Sequence, residues 1–453
     1  MIKLAIIGSG SMVFTRRIIT DLLLDKNLSS MEIALMDIDA EKLRVSELIV
    51  NSVANTIGVK PTVRTYLDRR KALENADFVQ TTFQVGGFNP ATKIDFEIPK
   101  KFGLNQTIAD TLGIGGIMRG LRTIPVLLNV AKDIIEICPN AIWLQSVNPM
   151  AMNIMAISKI FPEINVIGLC HSVPLTAMML ANDLEEKYED IIFECAGINH
   201  MSFYLSFEKK LPNGSKIDLY PKLKLIAKSI LNGEKISSRT LEKSNHGKFM
   251  AEKVRYDILA RFGYFVTESS EHFSEYVPWY IKNSHPKLIK EFEIPIDDYI
   301  FRCENQNKIW ENYSENLTQK SNLEIFTSNE YASNIIKSIV ANNIIQVNGN
   351  VINNNYISNL PNNSCVEIPC EINNNGIYPK KIGNLPTQLS ALISTNISVQ
   401  QLTVEAVLKQ KKEHVYHAAM LDPHTAAELS ITQIHQMVDE LIEAHGEMIP
   451  KLK

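Results

Sequence analysis

The sequence predicts an α/β protein, a doubly wound parallel sheet followed by a second, mixed α+β domain, and three observations predict it. Residues 1 to about 195 alternate short β-rich apolar runs with helical patterns; the first run leads directly into a glycine pair; and beyond Glu194 the alternation fades. At 453 residues the chain exceeds one ordinary core, so two closely packed domains, 1–195 and 196–453, are expected.

Strands are expected near 3–7, 31–36, 77–83, 141–147 and 165–169, with helices near 12–26, 41–56, 119–137 and 151–161. Pro139-Asn140 and Asn148-Pro149 punctuate the fourth strand on both sides. In the second part, 203–208 reads as a strand, Asn213-Gly214 as a hairpin turn and 247–262 as a helix. The asparagine-rich segments 341–355 and 362–375 read as turns between short strands, and 404–447 as a run of helix. There is no internal repeat.

A hydrophobic fraction of 45% beside 21% charged residues is that of a soluble globular protein. The net charge of -4 argues against nucleic acid or an anionic membrane as the main partner, which leaves small ligands. The opening apolar run lacks the features of a signal peptide, and nothing approaches a membrane span. Six scattered cysteines (138, 170, 195, 303, 365 and 370) without paired metal spacing read as reduced thiols, so a cytoplasmic setting is expected.

Gly8-Ser9-Gly10-Ser11-Met12-Val13 follows the first strand and opens a helix. Gly8 and Gly10 let the backbone approach a pyrophosphate, with Ser11 and Met12 at the helix N-terminus, which makes the N-terminal domain Rossmann-like. Val13 stands where the full dinucleotide fingerprint has its third glycine. The second strand ends at Asp37, about where an acidic residue accepts a ribose 2′-hydroxyl, so NAD is preferred, while Arg16 and Arg17 keep NADP open. The other role open to Asp37 is a helix N-cap, which Asp39 can fill equally.

Asn148 ends a strand on the carboxyl side of the sheet, where ligands bind in open α/β folds, and offers a donor and an acceptor to sugar hydroxyls. Cys170 ends the next strand as a candidate metal ligand together with His200, and His171 beside it is a candidate general acid. The alternatives are a buried core cysteine, a structural histidine and a turn asparagine before proline.

Gly8-Ser9-Gly10-Ser11, Asn148-Pro149, Gly168-Leu169-Cys170-His171-Ser172-Val173, Ala196-Gly197-Ile198-Asn199-His200-Met201 and Gly263-Tyr264-Phe265-Val266-Thr267-Glu268-Ser269-Ser270-Glu271-His272 resemble the NAD- and manganese-dependent glycosidases of glycoside hydrolase family 4. Cys-His-Ser-Val is similar to the α-galactosidase branch, and matches continue to Asn384-Leu385-Pro386 and Tyr416-His417-Ala418-Ala419-Met420, so the likeness spans the chain.

The resemblance implies NAD and Mn²⁺ as cofactors, Cys170 and His200 as metal ligands, Asn148 and Asp110 as substrate contacts and His171 as proton donor to the glycosidic oxygen. It implies oxidation at C3 of an α-galactoside such as melibiose, deprotonation at C2, elimination, addition of water and re-reduction, outside the two-carboxylate scheme. Tyr256 and Asp257 are the candidates for the C2 base, and a homodimer or homotetramer is implied. Thiolate with manganese is an unusual ligand match, so that metal rests on the resemblance alone. Other readings are an NAD-dependent hydroxyacid dehydrogenase, a family 4 α-glucosidase or α-galacturonidase, and a non-catalytic nucleotide sensor.

Overall fold

Burial on both faces defines the first strand: all five residues of β1 (Lys3–Ile7) are buried, as a central parallel strand requires. The computed structural model describes residues 1–233, 252–316, 325–328 and 330–453. Next come β2 (Glu32–Met36), β3 (Thr62–Tyr66), β4 (Phe78–Thr81), β5 (Ile142–Gln145) and β6 (Val166–Leu169). The later strands are β7 (Ile191–Ile198), β8 (Met201–Lys210), β9 (Lys216–Asp218), β10 (Ile345–Ile352), β11 (Cys365–Asn373) and β12 (Gly376–Pro379).

The first six pair in parallel in the order β3-β2-β1-β4-β5-β6, which places a topological switch point between β1 and β4. The helix Met12–Leu23 packs on this sheet through Thr15, Ile18, Ile19, Leu22 and Leu23, one helical face. Asp39, not Asp37, caps the helix Ala40–Ile57 by accepting from the Glu41 and Lys42 amides.

The sheet does not end at β6. It runs on through β10, β11, β7, β8 and β9, with Leu169 opposite Gly349 and Gly197 opposite Glu367, both antiparallel pairings. The expected boundary at 195/196 therefore falls inside β7, and the two parts of the chain share one sheet. One apolar cluster likewise joins Leu4 and Ile6 to Phe203, Ile368 and Ile393.

Other differences have local causes. β3 was not expected because its Thr-Val-Arg-Thr-Tyr sequence is half-exposed at the sheet edge and carries no apolar run. The helix Gly113–Ile137 starts six residues before the expected 119, since Gly115 and Gly116 pack closely: a Cβ at Gly115 would lie 2.5 Å from the Ala109 carbonyl oxygen. The helix expected over 247–262 is seen over Lys253–Phe262, and 247–251 lie outside the described residues. Much of the asparagine-rich sequence is strand, not turn, because buried amides cross-link strands: Asn348 Nδ2 donates to the Cys195 carbonyl at 2.9 Å and Asn350 Nδ2 to the Gly168 carbonyl at 3.3 Å. Among the described residues, no helix is long and apolar enough to cross a membrane.

Glu367 sits fully buried where these strands meet, accepting from Ser202 Oγ at 2.7 Å and Asn350 Nδ2 at 3.3 Å. Burial outweighs these bonds and pushes its carboxyl up to about 7. The folded state thus holds a proton that the unfolded chain releases at lower pH, so the stability this provides is lost as pH rises through 7. Thermal melts of wild type should fall as pH rises from about 4.5 to about 7, and Glu367→Gln should flatten part of that slope; identical slopes in both proteins would remove Glu367 as its source.

Candidate active site

The loop after β1 is pinned from beneath and open above. The Gly8 and Ser9 amides donate to the Met36 carbonyl at 2.8 and 2.9 Å, and the Ser9 carbonyl accepts from Thr15 and Ser46 hydroxyls. Gly8 has φ of 89°, and a Cβ there would lie 2.7 Å from the Thr82 carbonyl oxygen, so glycine is required. Ser11 precedes a helix with no side-chain cap and no acidic residue in its first turn, where Met12 begins. Asp37 accepts the Gly10 amide at 2.8 Å and the Asp39 amide at 3.0 Å, which fixes its carboxylate beside the loop. A tight glycine turn, an uncapped helix N-terminus and an adjacent carboxylate form a cradle that fits a dinucleotide.

Across the carboxyl ends of β5 and β6 lies a cavity of about 240 Å³, lined among others by Asp110, Asn148, Cys170, His171, His200, Glu268 and His272. Asn148 Nδ2 donates to Asp110 Oδ2 at 3.1 Å. Asp110 follows Ala109, whose φ is 55°, in a loop gripped from behind by Glu275. The Glu275 carboxylate accepts three amides in a row, from Thr107 at 2.9 Å, Ile108 at 3.2 Å and Ala109 at 2.8 Å.

His200 forms the tight turn between β7 and β8 with φ of 66°, a strained value that neighbouring contacts must hold. Its Nδ1 lies 3.2 Å from the Tyr276 hydroxyl and its Nε2 3.3 Å from Glu268 Oε2. Donor atoms of Cys170, His200 and Glu268 lie within 4.8 Å of one another, and those of Asp110, His200 and His272 do the same. Sulfur, imidazole and carboxylate together are a donor set for a divalent transition metal. With Nε2 as a ligand, Nδ1 carries the ring proton and donates to Tyr276, which orients the imidazole.

The electrostatics agree with that fit. Burial alone would lower the His200 pKa, yet Glu268 and Cys170 outweigh it and raise it to about 10. Burial likewise opposes charge on Glu268 and on Asp110, but His200 and His272 hold the first down to about 2, and Arg119, His272 and His200 hold the second there. The cluster demands positive charge at its centre, which a cation supplies. His171, by contrast, is exposed at the N-cap of the helix Ser172–Asp183, on the wall between this cavity and an outer groove of about 650 Å³.

Tyr256 and Asp257, the candidates for the C2 base, are not among the residues that line this cavity. Tyr256 is buried against Phe265 with its hydroxyl on Asp183, and Asp257 is held by Arg261 at 2.8 Å and the Tyr280 hydroxyl at 2.9 Å. The helix carrying them turns both side chains toward other partners. The sequence assigns no role to Glu268, His272, Glu275, Tyr299 or Arg302. Glu268 and His272 belong to the motif Thr267-Glu268-Ser269-Ser270-Glu271-His272, and they do not share a helix face, since Glu268 precedes the helix Ser270–Ser274.

The model of family 4 glycosyl hydrolases matches residues 3–186, and that of their C-terminal domain matches 195–425. An α-galactosidase of Bacillus subtilis (strain 168) is 44% identical over 453 residues, covering 100% of both chains. One of Rhizobium meliloti is 32% identical, covering 99% of this chain and 89% of the relative. An α-galacturonidase of Thermoanaerobacter italicus is 27% identical, covering 99% and 97%. Among solved structures, a putative glucosidase, lplD, from Bacillus subtilis superposes with TM-score 0.87 at 26% identity, covering 97% of this chain and 99% of that one. A 6-phospho-α-glucosidase from gut microorganisms, in complex with NAD and Mn²⁺, superposes with TM-score 0.81 at 20% identity, covering 100% of each chain.

Replacing Glu275 by alanine strands three buried amides and frees the loop that carries Asp110. Urea melts of Glu275→Ala should show a loss of roughly 3 kcal/mol or more, with Glu275→Gln losing less; an unchanged midpoint would show that the carboxylate does not hold the loop.

Proposed function

The chain belongs to family 4 of the glycosyl hydrolases, and from that premise we propose that it is an NAD- and Mn²⁺-dependent α-galactosidase. The observation that carries this reading is one cavity holding both a sulfur, imidazole and carboxylate donor set and an exposed imidazole, at the sheet edge where the dinucleotide loop opens. Full-length identity of 44% to an α-galactosidase supports the choice of sugar. Membership in a hydrolase family leaves no support for the hydroxyacid dehydrogenase reading.

Gly8, Gly10, Ser11, Met12 and Asp37 would hold the dinucleotide, and Cys170 and His200, joined by Glu268, would hold the metal. When bound, the two groups would supply a hydride acceptor for C3 of the sugar and a Lewis acid for its 2- and 3-oxygens.

The protein's own side chains position the sugar and protonate the leaving group. Asn148 and Asp110, locked to each other, present an amide and a carboxylate that orient sugar hydroxyls. His171 delivers a proton to the glycosidic oxygen as the bond to C1 breaks, and its exposure lets the ring regain a proton from solvent. Tyr276 and Glu275 touch neither reacting group and act through His200 and the Asp110 loop.

In protein stripped of cofactor and metal, cleavage of p-nitrophenyl α-galactoside should require both NAD⁺ and Mn²⁺ and leave no net NADH. Cleavage indifferent to both additions would contradict the mechanism. In the same assay, His171→Ala should cut turnover of melibiose by about 100-fold or more while sparing the activated p-nitrophenyl substrate, whose leaving group needs little protonation. Equal losses on both substrates would remove His171 as the acid.

A further inference from the structure

His171 stands on the wall between two cavities, and among the described residues one other shares that position. Glu330 lines both the cavity of about 240 Å³ and the groove of about 650 Å³. Its place is fixed from two sides. Asp21, buried on the helix Met12–Leu23, accepts the Ser328 amide at 2.7 Å and the Ser328 and Ser333 hydroxyls at 2.5 and 3.0 Å. One carboxylate thus ties down the chain just before Glu330 and just after it.

The Glu330 carboxylate is held but not used up. It precedes the helix Tyr331–Val340 without accepting any of that helix's amides. Its side-chain partner among the described residues is Arg17, at 3.4 Å, a half-exposed residue on the outer groove. A carboxylate offers about four acceptor sites, so most of this one's capacity is open to a ligand. Glu330 is buried, so the donors that satisfy it must come from what enters the cavities. A carboxylate beside a guanidinium presents acceptors and donors together, the complement of sugar hydroxyls, each of which does both.

On the footing of the glycosidase reading, which sets the bond to be broken beside His171, we propose that Glu330 is the specificity-determining residue for the leaving group. It accepts hydroxyls of the sugar beyond that bond, with Arg17 donating beside it, and makes the enzyme select hydroxylated leaving groups over simple alkyl ones. A sugar satisfies the carboxylate. An alkyl group covers it and gives it nothing, and a site built to bond a hydroxyl rejects a ligand that lacks one. Asp21 touches neither sugar and acts as a positioning residue through Ser328 and Ser333.

The test compares kcat/KM of the enzyme loaded with NAD⁺ and Mn²⁺ on melibiose and on methyl α-galactoside. Both release an unactivated alcohol, so both need the acid, and they differ in the hydroxyls beyond the bond. Wild type should favour melibiose by roughly tenfold or more. Glu330→Gln and Glu330→Ala should each cut that preference by about tenfold, and Asp21→Asn should move it the same way. His171→Ala should slow both substrates alike, which separates loss of the acid from loss of the hydroxyl contact. An unchanged ratio in folded, active Glu330 variants overturns the proposal. So does a wild type that cleaves both substrates equally well, a result that needs no variant to fold. Turnover of maltose in place of melibiose refutes the galactosidase reading alone, and the same ratio, maltose against methyl α-glucoside, then decides the proposal. Cleavage of no glycoside at all refutes the glycosidase reading and the proposal with it.

Discussion

Cys170 and His200 meet because one sheet runs unbroken from β6 through β10 and β11 to β7. Each junction is narrow: β6 meets β10 at Gly349 and Asn350, and β11 meets β7 at Glu367 and Gly197. Close approach is enforced there, since a Cβ at Gly349 would lie 2.4 Å from Ile167 and one at Gly197 2.5 Å from the Met201 carbonyl oxygen. Asn350 and Glu367 then bridge the strands with buried polar bonds, on the Gly168 carbonyl and the Ser202 hydroxyl. The separation of the two ligand-bearing strand ends is therefore set by side chains 165 and 182 residues away from their partners along the chain.

The same arrangement concentrates negative charge at the sheet edge, and His200 responds to all of it. Its ring is oriented by Tyr276, flanked by Glu268 and stacked edge-on against His272 at 5.1 Å. Tyr276, Glu275, His272, Glu271 and Glu268 all come from one short stretch after the helix Lys253–Phe262. That stretch orients a candidate metal ligand with one side chain and grips the Asp110 loop with another. The two halves of the cavity are mechanically one part.

Much of this was readable in the sequence wherever function sits at the end of a locally patterned element. The glycine loop, Asp37, Asn148 and Cys170 all follow short apolar strands, and the strand pattern alone brings them to one edge. His200 sits between two strands of which only the second was read. Tyr256 and Asp257, named on the resemblance, show what a sequence does not carry about a helix. Periodicity finds a helix, but its rotation is set by partners distant in sequence, here Asp183, Phe265 and Tyr280. The asparagine-rich strands fail for a related reason, because an amide favours turns in isolation and strands only when carbonyls of neighbouring strands await it.

His171 stands on the wall between an inner chamber of about 240 Å³ and an outer groove of about 650 Å³. On the proposed reading this geometry counts units. One ring fills the smaller cavity, and the bond to be broken lies beside the imidazole that both cavities share. Such an enzyme is exo-acting by construction: it trims the terminal sugar, is indifferent to the length of what it is attached to, and must release and rebind between successive cuts.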